Sequence, residues 1–255
     1  MRSLDELRAL VEDELARLPF AHELGRLEEA LRYSLLGGGK RIRPVLCLAT
    51  GEALGKEPRE LLPAACSLEL VHTFSLVHDD LPALDDDDIR RGKATVHLEF
   101  GERTAILVGD ALLAEAFRLA ASHGDARIVR ELAVATLRMI GGQQLDFEGD
   151  AERNAVHALK TGALFEAPVG CALWIAGVPE QAQTQWRAFA RELGLLFQVV
   201  DDLLDGDGFV AELGVDGARA LADERAARVQ ALLAELDADT TVLAELSELV
   251  ATRTA

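Results

Sequence analysis

The sequence predicts an all-α fold, and three observations lead there. Apolar residues recur with the roughly 3.6-residue period of a helix along most of the chain. Runs of Val, Ile and Thr are scarce, and no alternating strand of useful length stands out. Gly and Pro punctuation is sparse, and no Ser/Gly/Pro linker or solenoid-length repeat divides the 255 residues. One all-α domain over residues 1–255 is the economical reading.

Taken in order, LDELRALVEDELARL (4–18) is amphipathic and acidic. It has no continuous apolar core, so it reads as neither signal peptide nor membrane span. RELLPAACSLELVHTFSLVHDD (59–80) follows, then ERTAILVGDALLAEAFRLAA (102–121) and ARIVRELAVATLRMI (126–140). The remaining predicted helices are 154–177, 180–205 and 218–236. Several are apolar nearly all round, which marks central helices of a large bundle. Breaks fall at GGGK (37–40), GEALGKEP (51–58), GG (141–142), GVP (177–179) and DGDG (205–208).

Composition excludes some functions. The net charge of -18 makes nucleic acid an unsuitable partner, because phosphate contacts need clustered Lys and Arg. An anionic membrane surface is equally unsuited. An anionic substrate would need local basic residues or bound metal to reverse the field. Cys47, Cys66 and Cys171 match no zinc spacing and sit among apolar neighbours, so they read as buried, reduced thiols of a cytoplasmic protein.

Four stretches carry chemistry. In HDDLPALDDDDIRR (78–91), Pro82 ends the preceding helix near Asp79 and Asp80, and the following turn can bring Asp85 back to them. His72, Ser75 and Asp79 share one helical face. Crowded carboxylates raise one another's pKa unless a cation neutralises them, and Mg2+ suits such oxygen ligands together with substrate phosphate. Arg90 and Arg91 add guanidinium forks for that phosphate. Alone, the run is a solvated acidic turn before it is a metal site. In LLFQVVDDLLD (195–205), Asp201 and Asp205 share a face with Asp202 beside them and Gln198 nearby. Carboxylates on an apolar helix need a partner or a metal, unless the helix end reaches solvent. LLGGGKRIRP (35–44) sets three glycines before Lys40, Arg41 and Arg43. It lacks the Walker spacing and by itself is equally a basic helix cap. Lys160 and Thr161 sit inside an apolar stretch before Gly162.

Together these motifs, with GGQQLDF (141–147) and LKTGALF (159–165), resemble the trans-isoprenyl diphosphate synthases, most of all the bacterial farnesyl type. The resemblance implies the isoprenoid synthase fold, a bundle of long helices around a deep cavity, usually homodimeric. It implies that Lys40, Arg43, His72 and Arg91 bind the diphosphate of isopentenyl diphosphate. Asp79, Asp80 and Asp85, with Asp201, Asp202 and Asp205, would hold about three Mg2+ ions on the diphosphate of an allylic substrate. Arg90 and Lys160 would contact that diphosphate, while Thr161 and Gln198 point dipoles at the cation formed during reaction. Phe74, five residues and about 7.5 Å before Asp79 along the helix, would floor the cavity. With Ser75 it implies a fifteen-carbon product, geranyl and geranylgeranyl diphosphate being the alternatives. Seen this way, His78 packs behind the site, and Asp87 and Asp88 are charges at a helix start.

One departure stands out. After Asp205 the family carries a polar loop with Gly-Lys and then Thr-Tyr-Pro; here the chain reads GDGFVAELGVDGARALADERA (206–226). A missing charged contact of that kind costs on the order of 1.5–3 kcal/mol. The gap keeps two other readings open: a non-catalytic partner subunit, and another all-α terpenoid enzyme such as a cyclase.

Overall fold

The computed structural model describes residues 1–148, 159 and 162–253. Helices make up almost all regular structure among them: α1 (Leu4–Arg17), α2 (Leu27–Leu35), α3 (Ile42–Ala53), α4 (Pro58–Asp79), α5 (Val96–Phe100), α6 (Glu102–Ala121), α7 (Ala126–Glu148), α8 (Ala163–Ile175), α9 (Thr184–Asp205), α10 (Gly208–Ala234) and α11 (Thr241–Ala251). The all-α expectation is met. The strands are two residues long each, β1 (Ile89–Arg90) and β2 (Lys93–Ala94), paired antiparallel.

The segments 4–18, 59–80 and 102–121 fold where their period predicts; of the predicted helix 154–177, residues 154–158, 160 and 161 lie outside the described residues. α1 starts at a capping box, with the Glu6 amide donating to Ser3 Oγ at 3.3 Å and the Ser3 amide donating to Glu6 at 2.8 Å. α4 is the central helix, buried on nearly every side and packed against α3, α6 and α8. By length and composition it alone among the described helices is apolar enough to cross a bilayer, yet 72% of its most apolar window is buried in the bundle.

Several boundaries differ from the sequence reading. α3 carries no polar face, so its apolar residues show no period to read. α2, α5 and α11 are short for a periodic signal. α7 runs through Gly141 and Gly142 to Glu148, because packing of its apolar face outweighs the low helix propensity of two glycines. α10 begins at Gly208 instead of 218 and kinks at Gly214, whose φ of 71° suits glycine. Asp87 and Asp88 do not start a helix; they precede the β1–β2 ribbon.

Arg41 anchors the basic loop from inside. Its φ is 50°, and its guanidinium turns into the core rather than toward solvent. There Nε donates to Glu12 at 2.8 Å, Nη1 to Glu69 at 2.5 Å and Nη2 to the Leu35 carbonyl at 2.7 Å, which satisfies an orphan acceptor at the end of α2. Cys47, Cys66 and Cys171 are free and fully buried, as expected, and burial pushes all three thiols up.

Candidate active site

α4, α6 and α7 form most of the wall of an open cavity of about 590 Å³. Phe74, Ser75, His78 and Asp79 line it from α4, Leu113 from α6 and Met139 from α7. Its walls are mainly apolar, with Arg43, His72 and Asp79 as the charged or titratable groups among the predicted site residues.

The first aspartate run is built as the proline predicts. α4 ends at Asp79, and the turn after it folds back so that the Asp85 amide donates to the Asp79 carbonyl at 2.8 Å. Asp79 lines the cavity and Asp85 is exposed beside it. Asp80 points elsewhere. It is buried and accepts a 2.6 Å hydrogen bond from Arg90 Nε, and burial still holds its carboxyl above the usual range despite that arginine. The structure therefore joins Asp80 and Arg90 to each other, in a pocket shared with Arg91, Lys93 and Thr95.

The second run divides in the same way. Asp202 is buried; it accepts from Gln198 Nε2 at 2.6 Å and from the Phe209 amide at 2.7 Å. Gln198 is thus turned to Asp202. Asp201 pairs with Arg253, whose guanidinium also stacks 4.3 Å from the Phe197 ring. Asp205 is exposed; what burial it has, and then the charges of Asp201 and Asp207, raise its pKa.

The basic residues divide between two pockets: Arg43 and His72 line the cavity, and Arg91 lines the pocket of Asp80 and Arg90. Arg43 has a buried Nε with no hydrogen-bond partner. Its guanidinium lies 5.2 Å from the Phe165 ring and 6.0 Å from that of Phe197. Burial pushes it down to about 10, with Glu69 and Asp201 opposing that and Arg91 and Arg253 adding to it. It remains a cation at neutral pH, poorly compensated and next to a cavity. Burial, and then Arg43 and Arg91, hold His72 well below its ordinary value, so it is neutral. Arg91 Nη1 donates to the Gly38 carbonyl, and its guanidinium occupies the room a side chain at Gly39 would need. Lys40 is exposed at the end of the same loop. Lys160 and Thr161 lie outside the described residues. Among the described residues, no three His, Cys, Asp or Glu side chains converge as a metal cage.

Residues 25–248 match the profile of the polyprenyl synthetases. The chain belongs to the polyprenyl synthetase family. It is 40% identical over 228 residues to the farnesyl diphosphate synthase of Geobacillus stearothermophilus, covering 83% of this chain and 77% of that one. It is 41% identical over 218 residues to a geranylgeranyl diphosphate synthase of Cyanophora paradoxa, covering 79% and 73%. An FPP/GFPP synthase from Zymomonas mobilis superposes with a TM-score of 0.89 at 32% identity, over 97% of this chain and 98% of that chain. The fold is thus that of the isoprenoid synthases, and this polyprenyl synthetase is a trans-prenyltransferase of the farnesyl and geranylgeranyl diphosphate synthase group.

The junction after the second aspartate run is short and locally determined. Only Gly206 and Asp207 separate α9 from α10. Gly206 is left-handed at φ 75°, and the Asp202 carboxylate caps the first turn of α10. A Cβ at Gly208 would overlap that carboxylate, and its φ of 51° is strained for other residues. We expect Gly208→Ala to destabilise the protein by about 1–3 kcal/mol, read as a lower denaturant midpoint; an unchanged midpoint would remove the cap from the account. Sequence reasoning missed Arg253, which lies 52 residues from Asp201 and follows no motif.

Proposed function

We propose that this chain condenses isopentenyl diphosphate head-to-tail with an allylic diphosphate, with farnesyl diphosphate as product. One observation carries the reading. Arg43, a buried cation lacking a partner at Nε, lies in the wall of an apolar cavity with Asp79 at its rim and Asp201 within electrostatic reach. A diphosphate would supply the missing anion.

Lys40, Arg43, His72 and Arg91 hold the diphosphate of isopentenyl diphosphate. A neutral His72 serves there as a hydrogen-bond donor. Arg90, with Lys160 and Thr161, faces the allylic diphosphate. Burial, and then the charges of Asp201 and Asp207, raise the Asp205 pKa; Asp79, Asp85, Asp201 and Asp205 are the side chains that would hold Mg2+. When bound, Mg2+ takes up the charge of the departing pyrophosphate. Asp80 and Asp202 act behind these residues, holding Arg90 and Gln198. The allylic C–O bond breaks and a C–C bond forms to the terminal alkene carbon of isopentenyl diphosphate. The proton lost from its neighbouring methylene goes to pyrophosphate. The apolar wall keeps water from the allylic cation until that bond forms.

Two further parts of the reading have observations behind them. Exposed Ile106 and Leu107 on α6, with Val134, Leu137 and Ile140 on α7, offer an apolar face for a second copy of the chain. Three buried thiols suit a reducing cytoplasm.

Incubation with labelled isopentenyl diphosphate, each allylic primer in turn and Mg2+ tests the reading; no prenyl product with any primer refutes it. Phe74 is 7% exposed and faces the cavity. Phe74→Ala is expected to make the twenty-carbon product dominant by chromatography. An unchanged distribution would refute its role as floor, and a native twenty-carbon product would favour a geranylgeranyl synthase.

A further inference from the structure

Phe74 can stop a growing chain only if its ring cannot swing aside, and the structure contains what holds it. His78 lies one turn later on α4, on the same face. The two rings meet edge to face, with centroids 5.2 Å apart and planes at 79°. The far side of the imidazole is fixed as well. His78 Nε2 lies 3.1 Å from the Ile106 carbonyl on α6. A carbonyl only accepts, so Nε2 carries the proton and donates. The ring fills a notch in α6 left by Gly109, where a Cβ would overlap the imidazole. Glycine in mid-helix is a poor choice by propensity, and here it makes room for this ring. His78 and Phe74 both line the prenyl-sized cavity.

We propose that His78, seated in the Gly109 notch and tied to Ile106, is a positioning residue for product length: it props the Phe74 ring across the cavity. A chain one isoprene unit too long must displace Phe74, and with His78 in place it must also break the bond to Ile106 or drive the imidazole into α6. The proposal rests on the reading of Phe74 as floor.

The test compares product lengths from isopentenyl diphosphate, geranyl diphosphate and Mg2+ for the native chain, Phe74→Ala, His78→Ala, His78→Gln, Gly109→Ala and the double variant Phe74→Ala/His78→Ala. His78→Ala is expected to raise the ratio of twenty- to fifteen-carbon product by about tenfold, the scale on which a pocket discriminates small apolar extensions. His78→Gln, whose amide nitrogen reaches the position of Nε2, keeps the native ratio. Gly109→Ala evicts the ring while leaving His78 in the sequence, and raises the ratio in the same direction even where His78→Ala folds poorly. The double variant matches Phe74→Ala alone, because both changes act on one ring. Native ratios in His78→Ala and Gly109→Ala, with longer product from Phe74→Ala, overturn the prop and leave the floor standing. Additive lengthening in the double variant overturns action through Phe74. A native ratio in Phe74→Ala removes the floor, and the prop with it.

Discussion

Asp79→Ala lowers turnover by on the order of 10³-fold and leaves the apo fold in place. The two halves of that expectation have separate causes. Asp79 is the last residue of α4 and lines the cavity. A carboxylate there stands at the negative end of a helix dipole, which favours cations and gives an anion no support. The turn that returns Asp85 to the site is closed by a hydrogen bond to the Asp79 backbone carbonyl, which alanine retains. Alanine therefore keeps that backbone bond and deletes the carboxylate proposed to hold Mg2+. The measurements are steady-state turnover and the thermal midpoint with Mg2+ and pyrophosphate. A ligand pair at 100 times its dissociation constant stabilises the native chain by about 2.7 kcal/mol, and the variant is expected to lose most of that gain. Native turnover in Asp79→Ala would sink the assignment.

Arg41→Met destabilises the protein by about 3–5 kcal/mol. The Arg41 side chain is fully buried, and the Glu69 side chain facing it is 2% exposed. Losing the guanidinium strands the Glu69 charge in the core and leaves the Leu35 carbonyl without that donor. Replacing both partners removes the stranded charge, so Arg41→Met/Glu69→Leu should recover most of the loss. Denaturant midpoints measure both variants. A single variant as stable as the native chain would show that Glu69 finds water or another partner. Since Arg41 also shapes the loop that carries Lys40, the single variant tests the fold behind the basic side of the site.

What could be read in advance follows from the range over which each cause acts. The end of α4 and the return of Asp85 were legible because a proline and a four-residue turn decide them locally. α3 was not, since a helix apolar all round shows no period. The aspartate runs were legible as runs, but which carboxylates face the cavity was not. Asp80 is claimed by Arg90, ten residues on, and Asp202 by an amide across a two-residue junction. That Asp202 would cap the next helix was not legible either. Arg41 stood in a basic stretch with nothing to mark it as facing inward, because its partners come from α1, α2 and α4.

The three buried thiols give the molecule an internal clock. Protonated and shielded by the bundle, Cys47, Cys66 and Cys171 are poor nucleophiles while it is closed. An alkylating reagent then reacts at the rate at which the core opens, and the residue it marks first names the helix that parted. Cys47 reports on α3, Cys66 on α4 and Cys171 on α8, so three adducts resolved by mass would order the loosening of the helices around the cavity.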